Sequence, residues 1–258
     1  MILRRVIEHV KAQNWTAIAI DFVIVVIGVF VGIQLGNVNA DLANKRLGES
    51  YAKRLIVDLE KDLASSRVQA GYYEEVLRAV KEASALLKDE AADPAALVIA
   101  AYRASEIMFI APNNATWNQI VSSGHLGLLP QSAADSRLAD YYAFDSARDI
   151  YDFLADAPYR NIARQVIPME IQAAMREGCS DARDHELIII SFMEECRLDA
   201  DPGLIAATAS ALRSDPSIAQ ALNHQYSNVI SATLNLTGSV MFLENALAAL
   251  KGAPETAQ

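Results

Sequence analysis

Apolar residues fill the chain from Ala17 to Leu35, and this run is the strongest pattern in the sequence. The run contains one charge, Asp21, and one amide, Gln34. About 20 residues at a rise of roughly 1.5 Å cross a hydrocarbon core of about 30 Å. The pattern therefore predicts a transmembrane helix over residues 15–38, with Trp15 placed where an interfacial aromatic side chain belongs.

Two alternatives to a membrane anchor are open at this point. A core helix buried in a soluble protein has the same composition. A cleaved signal peptide is the other, because Val38-Asn39-Ala40 has the small-x-small pattern of a cleavage site before Asp41. The charged segment before the apolar run is long, however, and the run exceeds the usual apolar region of a signal peptide. Both features favour an anchor that is kept.

Residues 1–14 predict a short amphipathic segment on the cytoplasmic membrane surface, with apolar and charged positions on different helix faces. Charge alone does not decide the orientation, because basic residues lie on both sides of the apolar run (Arg4, Arg5 and Lys11 before it, and Lys45, Arg46, Lys53 and Arg54 after it). Export of one large domain behind a short tail is the simpler insertion. We therefore expect an inner-membrane protein with a cytoplasmic N-terminus and a periplasmic domain over residues 39–251.

The apolar run carries small residues at a regular spacing. Gly28, Gly32 and Gly36 form the pattern GxxxGxxxG, which lets two membrane helices approach closely. At 100° per residue, Gly28 and Gly32 lie about 20° to either side of Asp21, so the acid shares the glycine face. Two interpretations of Asp21 are open: a carboxylate that reaches interfacial water, or an acid coupled to protons or to a partner.

From Asp41 onward the spacing of apolar residues is helical nearly throughout. The first long stretch places Leu47, Tyr51, Leu55, Leu59 and Leu63 four residues apart, then continues as Tyr73, Leu77, Val80, Ser84 and Leu87. The last stretch, residues 217–250, keeps a 4-3-4-3 seam (Leu222, Tyr226, Val229, Thr233, Leu236, Val240, Leu243, Leu247 and Leu250). We expect the membrane helix to continue directly into the first domain helix.

Shorter helices are predicted between the two long ones. Their expected limits follow from caps and prolines: Asp93-Pro94 to about Phe109, Asn114 to Gly124, a start at Ser132, divisions at Pro158 and Pro168, an apolar helix from His185 to Cys196, and a start at Pro202. The predicted fold class is all-α, an N-terminal transmembrane helix followed by an antiparallel bundle of four or more helices. The tail, residues 252–258, is expected to be disordered.

Charge and cysteine content restrict the partners. The chain has a formal net charge of −10, and the residues after position 36 carry −11 because residues 1–36 sum to +1. An acidic domain repels phosphate backbones, so we expect no nucleic-acid partner. Cys179 and Cys196 are the two cysteines. Their spacing allows one disulfide in an oxidising compartment or two buried thiols, and does not resemble a zinc site.

Residues that could carry chemistry are few. The four histidines form no HExxH motif, and no Walker, GxSxG or GxGxxG motif is present. We read Asp184-His185-Glu186 as a surface cluster and Ser122-Ser123-Gly124-His125 as a helix C-cap. The tyrosines at 141, 142, 151 and 159 either line a ligand pocket between helices or belong to the core. The sequence therefore predicts no enzyme, no cofactor and no metal.

Two segments of the chain resemble a known family. Residues 9–39, HVKAQNWTAIAIDFVIVVIGVFVGIQLGNVN, and residues 116–142, TWNQIVSSGHLGLLPQSAADSRLADYY, are similar to a family of bacterial single-pass membrane proteins without an established activity. The resemblance implies the anchor and a helical extracytoplasmic region. The similarity covers about the first 65 residues and residues 114–142, and residues 180–258 show no resemblance. This chain has Val38 where members often have Trp.

Three functions remain. The first is a membrane-tethered interaction or scaffold protein that self-associates through Gly28, Gly32 and Gly36. The second is a periplasmic ligand-sensing bundle that signals through the membrane helix of a partner. The third is a stator-like or transport accessory subunit that uses Asp21. All three have the lipid bilayer as a partner, together with a second copy or another membrane helix.

Overall fold

The computed structural model of the protein describes residues 15–144, 146–185, 188–193 and 195–252. The amphipathic segment predicted for residues 1–14 lies outside the described residues, as does the predicted disordered tail beyond Gly252. The fold is all-α with a long N-terminal helix, which confirms the predicted fold class.

Short helices and one small hairpin lie between two long helices in the chain. The helices are α1 (Trp15–Lys88), α2 (Pro94–Arg103), α3 (Ala115–Ser122), a 3-10 turn (Leu126–Leu128), α4 (Gln131–Asp135), α5 (Leu138–Ala143), α6 (Ser146–Ala155), α7 (Pro158–Val166) and α8 (Met169–Gly178). After α8 come the strands β1 (Ala182–Arg183) and β2 (Ile189–Ser191), then α9 (Pro202–Ser214) and α10 (Pro216–Lys251).

Helix α1 is continuous over 74 residues. At about 1.5 Å per residue it is about 110 Å long, far longer than the domain that packs on it requires. Nearly every described side chain from Trp15 to Arg46 is exposed, and packing against the bundle begins at Leu47. The prediction that the apolar helix runs directly into the first domain helix is confirmed.

Helices α1 and α10 are the two long helices of the bundle, and they run antiparallel. Arg67 pairs with Glu244, and Lys251 pairs with Glu60, each with a nitrogen–oxygen distance of 2.6 Å. Helix α10 begins at Pro216, and the Asp215 side chain caps it by accepting a hydrogen bond from the Ser217 amide. The observed limits of α10 agree with the predicted last helix within one residue.

The buried seam of α1 advances in three- and four-residue steps. Its members are Gly48, Tyr51, Leu55, Leu59, Asp62, Ser66, Gln69, Tyr73, Val76, Val80 and Ala83. Of the predicted series of four-residue steps, Tyr51, Leu55 and Leu59 lie on this seam, and Leu47 and Leu63 at its two ends are partly buried against the same cluster. A helix of 3.6 residues per turn rotates such a series gradually off the buried face. Asp62, Ser66 and Gln69 are polar members of this seam.

Helix α2 ends at Arg103, six residues before the predicted end at Phe109. The chain after it is extended because side chains of α1 satisfy its backbone. The Tyr73 hydroxyl donates to the Met108 carbonyl at 2.9 Å and accepts from the Met108 amide at 3.1 Å. The Gln69 Oε1 atom accepts from the Ile110 amide at 3.2 Å. These bonds replace those of another helical turn.

The prolines and the glycine that were expected to delimit helices do so. Pro158 opens α7, Pro168 precedes α8, and Pro202 opens α9. Gly124 has a φ of +70° just after α3, as the predicted C-cap requires. The single helix expected from Ser132 is instead divided into α4, α5 and α6.

The helix predicted from His185 to Cys196 is wrong, because the described part of this segment forms a hairpin. Strands β1 and β2 are antiparallel, with Ala182 opposite Ser191 and Arg183 opposite Ile189. Ile188 and Ile190 are 40% and 47% exposed, whereas Ile189 packs on the core. Alternate exposure over three β-branched residues is the pattern of a strand and not of a buried helix.

Two apolar clusters hold the bundle together. The first, near the end of α1 that carries the apolar run, includes Tyr51, Leu55 and Leu59 of α1 with Leu243 and Leu247 of α10. The second joins the segment of α1 from Tyr72 to Ala83 to α2, α7, α8 and α9. The polar part of the α1 seam lies between these clusters.

Candidate functional site

The structure leaves the predicted glycine face open. A Cβ added at Gly28, Gly32 or Gly36 would meet no atom of the described residues within 4 Å. The helix that carries this face is long and apolar enough to cross a membrane, and none of its apolar window is buried against the protein. Asp21 lies on the same helix and is half-buried.

Cys179 and Cys196 are joined by a disulfide, with their Cα atoms 4.4 Å apart. The bond links the end of α8 to the chain that leaves the hairpin. The Arg197 amide also donates to the Gly178 carbonyl at 3.1 Å, so the two segments are held by backbone as well as by sulfur. The spacing allowed either a disulfide or two buried thiols, and the structure contains the disulfide.

The described residues of the two polar motifs make hydrogen bonds to neighbouring parts of the fold. The Ser122 hydroxyl donates to the Gln119 carbonyl at 3.1 Å, which is a bond within its own helix. His125 instead contacts α1, where its Nδ1 atom lies 2.9 Å from the Tyr51 hydroxyl. In the other motif, the Asp184 carboxylate accepts the Ile188 amide, His185 is exposed, and Glu186 lies outside the described residues.

The four tyrosines considered for a pocket lie in different places. Tyr159 is fully buried and donates to the Ala101 carbonyl at 2.9 Å, which is a structural bond. Tyr151 packs against Phe109, with ring centroids 5.8 Å apart. Tyr141 and Tyr142 line a cavity together. The prediction of a tyrosine-lined pocket therefore applies to one adjacent pair only.

This cavity has a volume of about 80 Å³. It lies between the polar part of the α1 seam, the extended segment after α2, the α5–α6 region and α10. Its polar lining from α1 consists of Asp62, Ser65, Ser66 and Gln69. Its apolar lining includes Ile110, Pro112, Phe144 and Leu236. We call it the Asp62 cavity.

Asp62 is held in place by three hydrogen bonds. Its Oδ1 atom accepts from both the backbone amide and the side-chain amide of Asn113, each at 2.7 Å. Its Oδ2 atom accepts from the Tyr141 hydroxyl at 3.1 Å. Asp62 is only 2% exposed and forms no ion pair with any described residue. A buried carboxylate with neutral donors and no cation is the unusual feature of this site.

Burial governs the electrostatics of the cavity. Burial raises the pKa of Asp62, and the neighbouring Asp58 carboxylate raises it further, while the bonds from Asn113 and Tyr141 oppose the shift. Burial also raises the pKa of the Tyr142 hydroxyl, and the charges of Asp62 and Asp58 add to the increase. Tyr142 is therefore a neutral hydroxyl beside an acidic group.

Two hydroxyls at the cavity lack hydrogen bonds. The Tyr142 hydroxyl is enclosed and has no partner among the described residues, although its ring stacks on Trp117 at 4.8 Å. The Ser66 side chain is 9% exposed and also makes no hydrogen bond with the described residues. Buried polar groups normally have partners, so the enclosed Tyr142 hydroxyl beside this carboxylate is a group that a bound ligand could satisfy.

Sequence reasoning missed Asp62 and Ser66 because isolated polar residues on a long helix are usually solvated. The available signal was their position in the 3-4 seam that also contains Leu55, Leu59 and Tyr73. Among the described residues, no group of three or more His, Cys, Asp or Glu side chains could hold a metal ion.

Comparison with known proteins adds no assignment. No family model, no curated protein and no solved structure matches the chain. The resemblance to a family of single-pass membrane proteins therefore stays a prediction. The coarser statement, one long apolar N-terminal helix ahead of a helical domain, follows from the structure itself.

Proposed function

We propose that this chain is a membrane-tethered helical interaction protein that pairs with a second copy through Gly28, Gly32 and Gly36. The observation that carries the proposal is the open glycine face on the apolar segment of α1, a segment whose apolar window is not buried against the described part of the domain. In a bilayer such a helix has only lipid or another helix as a neighbour.

The geometry of α1 favours helix pairing. Without Cβ atoms at three successive four-residue steps, two backbones approach closely enough for dispersion and Cα–H contacts to act. Ala40 extends this spacing by one more step and is also exposed. Because α1 is continuous to Lys88, contact in the membrane would fix the distance between the two domains.

Three observations support a periplasmic domain tethered to a bacterial inner membrane. The apolar window of α1 is fully exposed, as a lipid-facing helix requires. The disulfide between Cys179 and Cys196 is typical of an oxidising compartment. The acidic domain has little affinity for anionic lipid, so the tether and not the domain surface holds the protein at the membrane.

The test of this proposal is cross-linking of the tagged full-length protein in native membranes. Gly32→Leu places a large side chain on the face and should weaken self-association at least roughly tenfold, a change of about 1.4 kcal/mol. Ala19→Leu is the matched control, because it adds a leucine about 140° away around the same helix.

The two variants separate the possible results. Loss of the homodimer in Gly32→Leu alone supports the proposal. Equal cross-linking in both variants refutes the glycine face. Capture of a different membrane protein in stoichiometric amount, in place of the second copy, assigns the face to a partner helix.

A second candidate function is ligand sensing by the bundle, with a signal passed to a partner membrane protein. The Asp62 cavity favours it, because Asp62 and Ser66 of α1 line one cavity with Tyr142 of α5, whose enclosed hydroxyl has no partner among the described residues. Ligand binding there would act on the same helix that enters the membrane. A thermal shift with a small molecule and co-purification of a membrane partner would both be required.

A further inference from the structure

Polar residues in the buried seam of α1 cost stability compared with apolar residues at the same positions. Asp62, Ser66 and Gln69 occupy positions that leucine, valine and tyrosine occupy elsewhere in the same seam. Gln69 is accounted for, since its amide bonds the backbone of Ile110 in both directions. Asp62 and Ser66 retain hydrogen-bonding capacity that the described residues do not use.

The acceptors in the Asp62 cavity can be counted. An ionised carboxylate has about four acceptor positions, and Asp62 uses three of them on Asn113 and Tyr141. The remaining position is on Oδ2. The Ser66 oxygen supplies further acceptor capacity one helical turn away on α1, and it also lines the cavity. A ligand that bonds both Asp62 and Ser66 must donate more than one N–H hydrogen bond.

The charge of the site also points to a cation. Asp62 is buried without an ion pair among the described residues, and the like charge of Asp58 raises its pKa further. A buried carboxylate is stabilised strongly by a cation that enters with it. The net charge of −11 after position 36 would also attract cations toward the domain.

The walls restrict what kind of cation fits. Ile110, Pro112, Phe144 and Leu236 supply apolar surface, which suits an alkyl group better than a hydrated metal ion. The Tyr141 and Tyr142 rings form an edge-to-face pair at 5.0 Å and give the site aromatic surface that attracts cations. At about 80 Å³ the cavity admits only a few heavy atoms.

We propose that the Asp62 cavity binds a small primary alkylammonium ion. The ammonium group donates to Asp62 Oδ2 and to the Ser66 oxygen, its alkyl group packs on Leu236 and Phe144, and the Tyr142 hydroxyl closes the site. The proposal names a class of ligand for the sensing function given above as the second candidate. Only the effect of ligand binding on a partner membrane protein rests on that function. It is independent of pairing through the glycine face.

The test is titration calorimetry on the full-length protein in detergent, at about pH 8, with n-propylammonium chloride. One saturable site is expected, with a Kd between about 0.05 and 5 mM, as befits a ligand with few heavy atoms. Asp62→Asn keeps the shape of the side chain and should weaken binding at least roughly tenfold. Ser66→Ala should weaken it several-fold, whereas Ser84→Ala, outside the cavity on the same helix, should not change it.

A second variant keeps the test valid if Asp62→Asn fails to fold. Tyr142→Phe removes the unpartnered hydroxyl and keeps the ring that stacks on Trp117, so it should fold and bind about threefold or more weakly. Unchanged affinity in Tyr142→Phe and Ser66→Ala would overturn the assigned contacts.

Two reference ligands define the remaining outcomes. If 1-propanol binds as tightly as n-propylammonium, the site is apolar and the proposal is wrong. If potassium chloride competes at equal concentration, the site takes a metal cation and the proposal is also wrong. Saturable n-propylammonium binding with no change in cross-linking or partner capture supports the site and refutes the sensing function.

Discussion

Gly48 lies where the 3-10 turn of residues 126–128 crosses α1. A Cβ added at Gly48 would lie 2.1 Å from the carbonyl oxygen of Leu128 and 3.1 Å from its carbon. Gly71 lies on the same helix, but there an added Cβ would meet no atom of the described residues within 4 Å. Gly48→Ala and Gly71→Ala therefore make the same chemical change in two opposite environments.

The magnitudes follow from these distances. Alanine in a helix interior is favoured over glycine by about 0.5–1 kcal/mol, and Gly71→Ala should gain about that much stability. At Gly48 the obstructing atom belongs to the backbone and must move by more than 1 Å to reach the 3.4 Å of ordinary contact. Overpacking of this kind costs about 1–3 kcal/mol, so Gly48→Ala should be destabilising by about 1–2 kcal/mol overall.

Denaturant unfolding of the detergent-solubilised protein measures both effects. The chain has two tryptophans, and Trp117 lies in the cluster beside the 3-10 turn, stacked on Tyr142. A Trp15→Phe background leaves Trp117 as the tryptophan that reports unfolding. The free energies of unfolding of the two glycine variants should differ by about 1.5–3 kcal/mol.

Two results would contradict this reasoning. If Gly48→Ala stabilises the protein as much as Gly71→Ala does, the turn does not rest on α1 in solution. In the structure the Tyr51 hydroxyl lies 2.9 Å from His125 Nδ1. If Gly48→Ala is destabilising and this contact is kept, the turn has not moved and the clash is relieved elsewhere. Histidine chemical shifts would show which of these holds.

Three further predictions concern single groups in the domain. Tyr142→Phe should raise the free energy of unfolding by about 1 kcal/mol, because it removes an enclosed hydroxyl without a partner; a loss of stability in chemical denaturation would show that the hydroxyl is bonded. Burial, reinforced by the charge of Glu106, raises the pKa of the Asp181 carboxyl from 3.8 to about 6. The stability that the protonated carboxyl contributes is therefore fully present below about pH 4 and is lost as pH rises through about 6. Asp181→Asn should therefore stabilise the protein relative to wild type by about 1–2 kcal/mol more at pH 7.5 than at pH 4, after allowance for partial exposure, and a pH-independent difference would contradict the shift. Replacing Cys179 and Cys196 together by serine should lower stability by about 3 kcal/mol, from a sequence separation of 17 residues, with the reduced wild type as the control that should match it.

Local information was enough for much of the fold. Proline at Pro158 and Pro202 fixes φ and removes a donor, which suits the first position of a helix and prevents an earlier helix from continuing through it. Gly124 ends a helix because the left-handed conformation suits glycine. The long helices α1 and α10 follow from helical spacing sustained over many turns, which does not depend on a partner.

Other features depend on atoms distant in the chain. Helix α2 ends early because Tyr73 and Gln69, more than 30 residues before, bond the extended chain at Met108 and Ile110. The three isoleucines at 188–190 suited a buried helix or a strand equally well by composition. Pairing with β1 makes this segment a strand, and the disulfide that follows fixes where the hairpin ends.

The sequence by itself determined an apolar N-terminal helix with a glycine face, an all-α domain behind it, and the caps and prolines that divide that domain. These features depend on the period and the backbone preferences of neighbouring residues. Only the tertiary structure decided that Asp62 and Ser66 face inward, because a polar residue on a helix is solvated or buried according to what packs against it. The Asp62 cavity exists because α1, the segment after α2, α5 and α10 meet around those two side chains, and that meeting is a property of the assembled bundle.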